Sequence, residues 1–196
     1  MKSPRTRATR TIDAAEKVAS VLASLGIESA VIGAMALASH RYVRNTNDFD
    51  LATCADVQVQ LPAAKKALEK EEFEADLRLP DAEDPLGGVL RLTRPGIRRI
   101  EIVNYLNPFA VGPSLLAEEA IRTAIPARQG LGSLRVVDLP HLIALKLYAG
   151  GPRSRNDVIE LLERNAPLDL ASICDTCARH GLEAPLVAIL VELRLA

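Results

Sequence analysis

Two aspartates separated by a single residue lie in the segment NTNDFDLAT, residues 45–53, where Asp48 and Asp50 flank Phe49. Alternate residues of a β-strand point to the same face, so a strand here would bring both carboxylates together. Two bare carboxylates at that spacing repel each other. A bound divalent cation reverses this cost, and Mg²⁺ in proteins is usually held by one or two carboxylates together with substrate phosphates. The pair therefore predicts a magnesium site and phosphate chemistry.

A third acid, Glu101, lies in RRIEIVNYL between Ile100 and Ile102. On a strand the two isoleucines would face the core and Glu101 would face the other side. If this strand lies beside the one that carries Asp48 and Asp50, the three carboxylates would surround one or two Mg²⁺ ions. The alternative is that these acids only form the solvated faces of amphipathic strands, which explains a D-x-D pattern about equally well on its own.

A glycine adds a second feature to the acidic pair. In VIGAMAL, Gly33 lies where an apolar strand turns into a helix. The first turn of a helix has unpaired N–H groups that bind anions. A phosphate site beside an acidic metal site is the arrangement that phosphoryl transfer requires.

The chain must supply the strands and helices that hold these residues. Hydrophobic periodicity and turn residues predict a mixed α/β (α+β) sheet flanked by helices over residues 1–138, followed by a helical region over 139–196. In the first region we expect helices at 11–25, 33–42 and 62–71, strands at 28–32, 48–53 and 73–79, a hairpin over 89–106 with Pro95-Gly96 as its turn, and a last strand ending near 138.

The order of these motifs resembles that of the nucleotidyltransferase superfamily of the DNA polymerase β type. The matching pieces are h-G-x-x-A at residues 33–36, T-x-D-h-D-L at 46–51 and h-E-h at 100–102. The segment VVDLPHLIALKLYAGGPRSRNDVIELLER is similar to the AbiEii-like branch, the toxins of type IV toxin–antitoxin systems and their uncharacterised relatives. That branch carries a lysine and an aspartate that correspond to Lys146 and Asp157.

The resemblance implies a Mg²⁺-dependent enzyme that transfers a nucleoside monophosphate from an NTP to a hydroxyl, on an RNA or tRNA end or on a protein. Asp48, Asp50 and Glu101 would be the catalytic and metal-binding residues, and an antitoxin protein would be a partner. The implied nucleotide-binding residues are Gly33, Ala34, Ser39, Thr46, Lys146 and Asp157.

One position departs from the superfamily pattern, which has Gly-Gly or Gly-Ser where this chain has Gly33-Ala34. The serine hydroxyl that would bind a phosphate is missing, unless Ser39 or Thr46 substitutes for it. Two alternatives therefore stay open. The chain would be a catalytically silent nucleotidyltransferase-fold binding protein, or it would modify a small molecule as antibiotic nucleotidyltransferases do.

Basic residues gather on the hairpin that carries Glu101. The total of 24 Lys and Arg against 25 Asp and Glu gives a net charge of −1, so overall charge does not indicate a nucleic-acid-binding protein. A local patch on the hairpin would nevertheless suit an RNA or nucleotide acceptor. The alternative is a charged hairpin that keeps a sheet edge soluble. The residues of this predicted patch are Arg91, Arg94, Arg98 and Arg99.

The remaining polar residues predict little chemistry. Cys174 and Cys177 form a single C-x-x-C near His180, which is weak support for zinc, and we interpret them as buried structural thiols. His40 and His141 are interpreted as structural or surface residues. The chain has no apolar run near the ~20 residues of a membrane span and no apolar segment after its basic first residues. We expect a cytoplasmic protein with no membrane partner.

Overall fold

The computed structural model describes residues 6–127 and 130–195. It consists of a seven-stranded sheet with helices around it. Its strands are β1 (Ala30–Val31), β2 (Asp48–Thr53), β3 (Glu74–Arg78), β4 (Val89–Thr93), β5 (Arg99–Asn104), β6 (Ile125–Pro126) and β7 (Arg135–Val136). Its helices are α1 (Arg7–Ser24), α2 (Gly33–Ser39), α3 (Gln60–Lys70), α4 (Ser114–Arg122), α5 (Leu139–Ala149), α6 (Gly151–Arg164), α7 (Leu170–Arg179) and α8 (Glu183–Glu192).

The strand order in the sheet is β3-β4-β5-β2-β1-β7-β6. β4 and β5 form the predicted antiparallel hairpin, and the turn contains Gly96 at φ +82°. β5 then lies parallel to β2, and β2 lies antiparallel to β1. The sheet is therefore mixed, and the predicted fold class is confirmed.

Alternating burial shows which face of each central strand packs against the core. In β5, Ile100 and Ile102 are fully buried, and in β2 Phe49 and Leu51 are buried beside them. The intervening residues of both strands point to the opposite face, where they are partly exposed. Because a strand that slipped by one residue would expose this apolar set, the packing fixes the register of β2 against β5.

The helical tail packs on the sheet region without a break in the core. α5 contacts α4 on one side and α6 and α7 on the other. Its buried Leu142 and Ile143 belong to the same hydrophobic cluster as Phe49. The division at residue 138 stays a prediction. Among residues 6–127 and 130–195, none of the helices has the length and apolar character needed to cross a membrane.

The N-terminal helix begins earlier than the sequence predicted. Thr6, not Thr11, caps α1, and its hydroxyl accepts a hydrogen bond from the N–H of Thr9. Thr11 instead lies inside the helix, where its hydroxyl donates to the Arg7 carbonyl and accepts from the Arg98 N–H. The Arg7 and Arg10 side chains also donate to hairpin carbonyls, so this part of α1 is held by the β4–β5 turn.

The ends of other elements also differ from the predictions, and one helix was not predicted. α2 ends at Ser39 rather than at residue 42, because Arg41 adopts a left-handed conformation with φ 65° and the chain turns there. α4 was missed, although its buried Leu116, Ala117 and Ala120 have helical spacing. The basic first residues of the sequence lie partly outside the described part of the chain, which begins at residue 6.

The side chain of Asn104 connects three loops to the end of β5. It is fully buried, and its amide accepts one hydrogen bond from the Ala55 N–H at 2.7 Å. It donates to the carbonyls of Ala55, Gly87 and Leu106. The amide thus satisfies buried backbone groups that no water would reach.

We predict that Asn104→Ala lowers the free energy of unfolding by about 2–4 kcal/mol, because it leaves several buried backbone groups without partners. Urea denaturation followed by circular dichroism measures this change. Asn45→Ala, at an exposed position, serves as the control and should change stability by less than about 0.5 kcal/mol. Equal effects of the two substitutions would contradict the role given to Asn104.

Candidate active site

The three predicted carboxylates lie on one face of the paired strands β2 and β5. Asp50 is directly opposite Glu101, and Asp48 is opposite Arg99. Neighbouring strands are separated by about 4.8 Å, so groups at opposite positions are close enough to share one ion. The predicted pairing of the two strands is therefore what the structure has. The catalytic roles of the three acids stay predictions.

Two arginines contact these acids in the protein without metal. Arg99 donates through Nη2 to Asp48 Oδ1 at 2.7 Å and places its Nε 3.2 Å from Glu101 Oε1. Arg91, on β4, donates through Nε to the same Glu101 oxygen at 3.1 Å. The guanidinium groups therefore provide the positive charge that the clustered carboxylates require.

Among residues 6–127 and 130–195, no arginine forms an ion pair with Asp50, and the pKa of Asp50 reflects this. The pKa of Asp50 is raised from 3.8 to about 6, first by burial and then by the negative charges of Glu101 and Asp48. The positive charges of Lys146 and Arg99 act in the opposite direction on this pKa. A divalent cation bound to the three carboxylates would relieve the repulsion that they share.

Gly33 lies against Asp50, at the first residue of α2. Its φ is +62°, in the left-handed region that favours glycine. A Cβ atom added there would lie 1.9 Å from Asp50 Oδ2, so any other residue would displace the carboxylate. The position therefore requires glycine for two independent reasons, its backbone angle and the space that Asp50 occupies.

The other predicted nucleotide-binding residues around α2 and β2 have different surroundings. Ala34 is buried in the first turn of α2. Ser39 is the last residue of that helix, about 9 Å along its axis from Gly33, so the structure does not bring its hydroxyl to the glycine end. Thr46 uses its hydroxyl to accept from the Asp48 N–H at 3.2 Å, which fixes the entry into β2.

Lys146 and Asp157 form a buried ion pair between α5 and α6. Lys146 Nζ is 2.7 Å from Asp157 Oδ2, and Arg44 Nε is 3.6 Å from Asp157 Oδ1. The Asp157 side chain is only 2% exposed, so it depends on these two cations. Asp157 holds Lys146 in place, and the charge of Lys146 lowers the pKa of Asp50.

The four hairpin arginines do not form a single patch. Arg91 and Arg99 face the acids, whereas Arg94 stacks on the ring of Phe73 at 4.5 Å and Arg98 lies in the turn that contacts α1. This separation follows from strand alternation and from the turn between β4 and β5. The two arginines that the structure brings to the site are therefore Arg91 and Arg99.

Sequence reasoning missed Tyr105 as a neighbour of the acids. Burial raises the pKa of its hydroxyl, and the charge of Asp50 raises it further. Tyr105 continues the pairing of β5, since its N–H donates to the Thr53 carbonyl at 2.9 Å. It follows Glu101 and Val103 at alternate positions, and that spacing would have indicated its face.

The cysteine and histidine predictions are met in part. Cys177 is buried, but Cys174 is exposed because it lies on the outer side of α7. His40 has its Nε2 2.8 Å from the Val137 carbonyl, which fits a structural residue. His141 is buried and contacts Asp138, so it is not a surface residue.

The donor set fits Mg²⁺. It consists of carboxylate oxygens, which are hard ligands. Because Gly33 has no side chain, no Cβ atom at that position blocks the Asp50 oxygen. A cavity of about 600 Å³ lies elsewhere, between α1 and the segment before β7, and is lined by residues such as Glu16 and Ser133. It includes none of the three carboxylates.

This sheet, with its acidic face and helical tail, is a nucleotidyltransferase-type fold. The antibiotic-resistance factor ANT(2″)-Ia matches it in a solution structure with a TM-score of 0.51 and 12% identity, covering 95% of this chain and 96% of that chain. Its crystal structure in complex with adenylyl-2″-tobramycin gives the same TM-score and identity, with 95% and 99% covered.

An antigenic nucleotidyltransferase-like protein from Paracoccidioides brasiliensis also matches, with a TM-score of 0.47 and 16% identity over 93% of this chain and 91% of that chain. No protein-family model matches the chain, and no curated protein sequence matches it. At these identities the likeness to ANT(2″)-Ia concerns the fold. The narrower resemblance to the AbiEii-like branch stays a prediction.

We predict that Asp50→Asn stabilises the protein at pH 7.5. Because the folded pKa of Asp50 is raised above its ordinary value, its ionisation opposes folding as the pH rises through about 6. The neutral amide removes this cost, and we expect a gain of about 1–2 kcal/mol, or ~3–6 °C in Tm. The gain should disappear near pH 4, where the wild-type carboxyl is protonated.

Thermal unfolding at both pH values measures this difference. Asp76→Asn, which removes an exposed carboxylate from β3, is the control and should not change Tm at either pH. An Asp50→Asn variant that is less stable than the wild type at pH 7.5 would show that the ionised Asp50 carboxylate does not destabilise the folded protein.

We further predict that Arg99→Gln tightens Mg²⁺ binding to the free protein at pH 8. Arg99 contacts both Asp48 and Glu101, so its positive charge competes with an incoming cation. Removing that charge should favour binding by about 1 kcal/mol, or roughly fivefold. Arg94→Gln is the matched control, since Arg94 stacks on Phe73 instead. Isothermal titration calorimetry measures both affinities, and weaker binding to Arg99→Gln would refute the competition.

Proposed function

We propose that the protein is a Mg²⁺-dependent nucleotidyltransferase that transfers a nucleoside monophosphate from an NTP to a hydroxyl acceptor. The observation that carries this proposal is the position of Asp50 opposite Glu101 across β2 and β5, with Gly33 against the Asp50 carboxylate. A cluster of like charges that the fold holds together is costly, and a cation bound to a substrate triphosphate supplies a reason for it.

Asp48, Asp50 and Glu101 would hold the metal, and Mg²⁺ would supply there the positive charge that phosphoryl transfer requires. The acceptor hydroxyl attacks the α-phosphorus, a new P–O bond forms, and the bond to the leaving pyrophosphate breaks. The proton of the hydroxyl goes to Glu101, or to solvent where Glu101 would instead hold a second ion. α2 begins at Gly33, which lies against Asp50, and its first N–H groups are proposed to bind a phosphate oxygen.

Lys146 is proposed to contact the triphosphate. Its ammonium group acts on the pKa of Asp50, so it lies within electrostatic range of the metal site. Asp157 and Arg44 are positioning residues in this scheme, because Asp157 pairs with Lys146 and Arg44 lies beside Asp157. The lysine then needs little reorganisation when the substrate binds.

The arginines would exchange partners when the metal binds. In the free protein Arg99 and Arg91 neutralise Asp48 and Glu101. Mg²⁺ on these carboxylates would release the guanidinium groups, which then become available to phosphates of the nucleotide or of the acceptor. Two released cations beside Glu101 favour an anionic acceptor, such as an RNA or tRNA end, over a cationic drug.

The narrower form of the proposal is an AbiEii-like toxin that modifies RNA or a protein and is controlled by an antitoxin protein. Its support is the segment at 136–164, which supplies Lys146 and Asp157. The second candidate is a small-molecule nucleotidyltransferase. It is favoured by the fold likeness to ANT(2″)-Ia over 95% of this chain, a protein whose crystal structure holds adenylyl-2″-tobramycin.

A transfer assay tests the activity and separates the acceptors. The protein is incubated with each α-labelled NTP, Mg²⁺ and, in separate reactions, total RNA, cell protein or tobramycin. We expect label in the RNA or protein reaction, and label in tobramycin alone would favour the second candidate. Asp48→Asn and Glu101→Gln should each lower the rate by at least about a hundredfold.

Asp76→Asn is the control for the assay. Asp76 lies in the same cross-strand row as Arg91 and Glu101, but two strands away from Glu101, so it is too far to share an ion with Asp50. The transfer rate of the Asp76→Asn variant should equal that of the wild type. Absence of transfer with every nucleotide, together with no Mg²⁺-dependent nucleotide binding by calorimetry, would refute the proposal and support a silent binding protein.

A further inference from the structure

A second group of metal-ligating side chains lies outside the acidic face, between α4 and the helical tail. Glu119 lies on α4, His141 on α5, and His180 directly after α7. One potential ligand atom from each residue lies within 4.8 Å of the other two. Glu119 Oε2 is 2.8 Å from His180 Nε2, and Glu119 Oε1 is 3.7 Å from His141 Nε2.

His141 offers a buried nitrogen that makes no hydrogen bond within the part of the chain that the structure describes. Its side chain is 6% exposed, and among the described residues Nε2 makes no hydrogen bond. Its Nδ1 is 2.7 Å from Asp138 Oδ1, so Nδ1–H donates to that carboxylate. Thr123 Oγ1 is also 3.3 Å from Nδ1, but this hydroxyl donates to the Glu119 carbonyl. Nε2 therefore presents its lone pair towards Glu119 and His180.

This arrangement is the one that metal-bound histidines use. A ligating imidazole usually donates its other N–H to a carboxylate, which fixes the tautomer and the ring orientation. A proton on Nε2 would be unsatisfied, because 3.7 Å is too long for a hydrogen bond to Glu119. Burying an unpaired polar nitrogen is costly, so a ligand for it is physically favoured.

Charges around the group also suit a cation. Burial raises the pKa of Glu119, but the hydrogen bond from His180 and the positive charge of Arg179 outweigh it, so the pKa is lowered overall. Glu119 is therefore an anion at neutral pH. Arg179 lies 2.9 Å from Glu119 Oε1 and also binds Asp175, and its side chain is 44% exposed. It can move to solvent when a metal takes its place.

We propose that Glu119, His141 and His180 form a Zn²⁺ site, with Asp138 as the positioning residue for His141. Two imidazole nitrogens and one carboxylate oxygen suit zinc and other transition metals better than Mg²⁺. Ligand atoms bound tetrahedrally at about 2 Å are separated by ~3.3 Å. His180 Nε2 is 2.8 Å from Glu119 Oε2 and His141 Nε2 is 3.7 Å from Glu119 Oε1, so a small rotation of the carboxylate would bring one oxygen to this spacing from both rings.

Glu119 and His180 line a surface cleft of about 510 Å³, from which water would reach the zinc and complete its coordination. The three ligands come from α4, α5 and the residue after α7, and α4 also packs on β2. Bound zinc would therefore tie α5 and the end of α7 to the sheet region. The site is independent of the acidic face and of any nucleotidyl transfer.

Calorimetric titration of chelator-treated protein with ZnCl₂ tests the proposal, with Co²⁺ absorption spectra as a report on the ligands. We expect one equivalent of Zn²⁺ to bind and to raise Tm. Glu119→Gln and His180→Gln should each weaken binding by more than about tenfold, and Asp138→Asn by about tenfold to a hundredfold. Circular dichroism without metal verifies that each variant is folded.

Two controls keep the result specific to these ligands. Glu118→Gln removes the neighbouring carboxylate, which lines the same cleft, and should bind Zn²⁺ like the wild type. Cys174→Ser removes the exposed thiol of the C-x-x-C pair and should also leave binding unchanged. Absence of Zn²⁺ binding, binding that persists in both ligand variants, or binding lost in Cys174→Ser would overturn the proposal.

Discussion

The position of Asp50 opposite Glu101 is the constraint on which the rest of the site depends. Like charges on adjacent strands repel, and the burial of Asp50 adds to the cost, as its pKa of about 6 indicates. The arrangement persists because the apolar residues on the other face of β2 and β5 fix the register. Arg99, Arg91 and Lys146 then surround the acids with compensating charge.

Local periodicity was sufficient to predict the strands of this centre and the face on which Glu101 lies. The structure has β2 at the predicted bounds, because the alternation of Asp48, Asp50 and their apolar neighbours admits no other register. The contacts of Arg99 were not predictable in this way, since the direction of a long side chain depends on the charges that meet it in the fold. The start of α1 was wrong because Thr11, a plausible cap, bonds instead to a hairpin that is distant in sequence.

The helical tail contributes to the acidic site through one buried ion. Asp157 is almost inaccessible to solvent, so it must be paired, and its partners come from two different parts of the chain. Lys146 belongs to α5, whereas Arg44 belongs to the loop before β2. The tail and the loop that leads to the acids are therefore linked by charge as well as by apolar packing.

Gly33 gives a simple criterion for reading related sequences. A side chain at this position would occupy the space of the Asp50 carboxylate, whatever its polarity or size. The neighbouring Ala34 has no such conflict, since its small side chain is already accommodated in the interior. A relative that has lost this glycine has therefore lost the acidic centre as it is built here, whereas another small residue at the following, buried position is compatible with that centre.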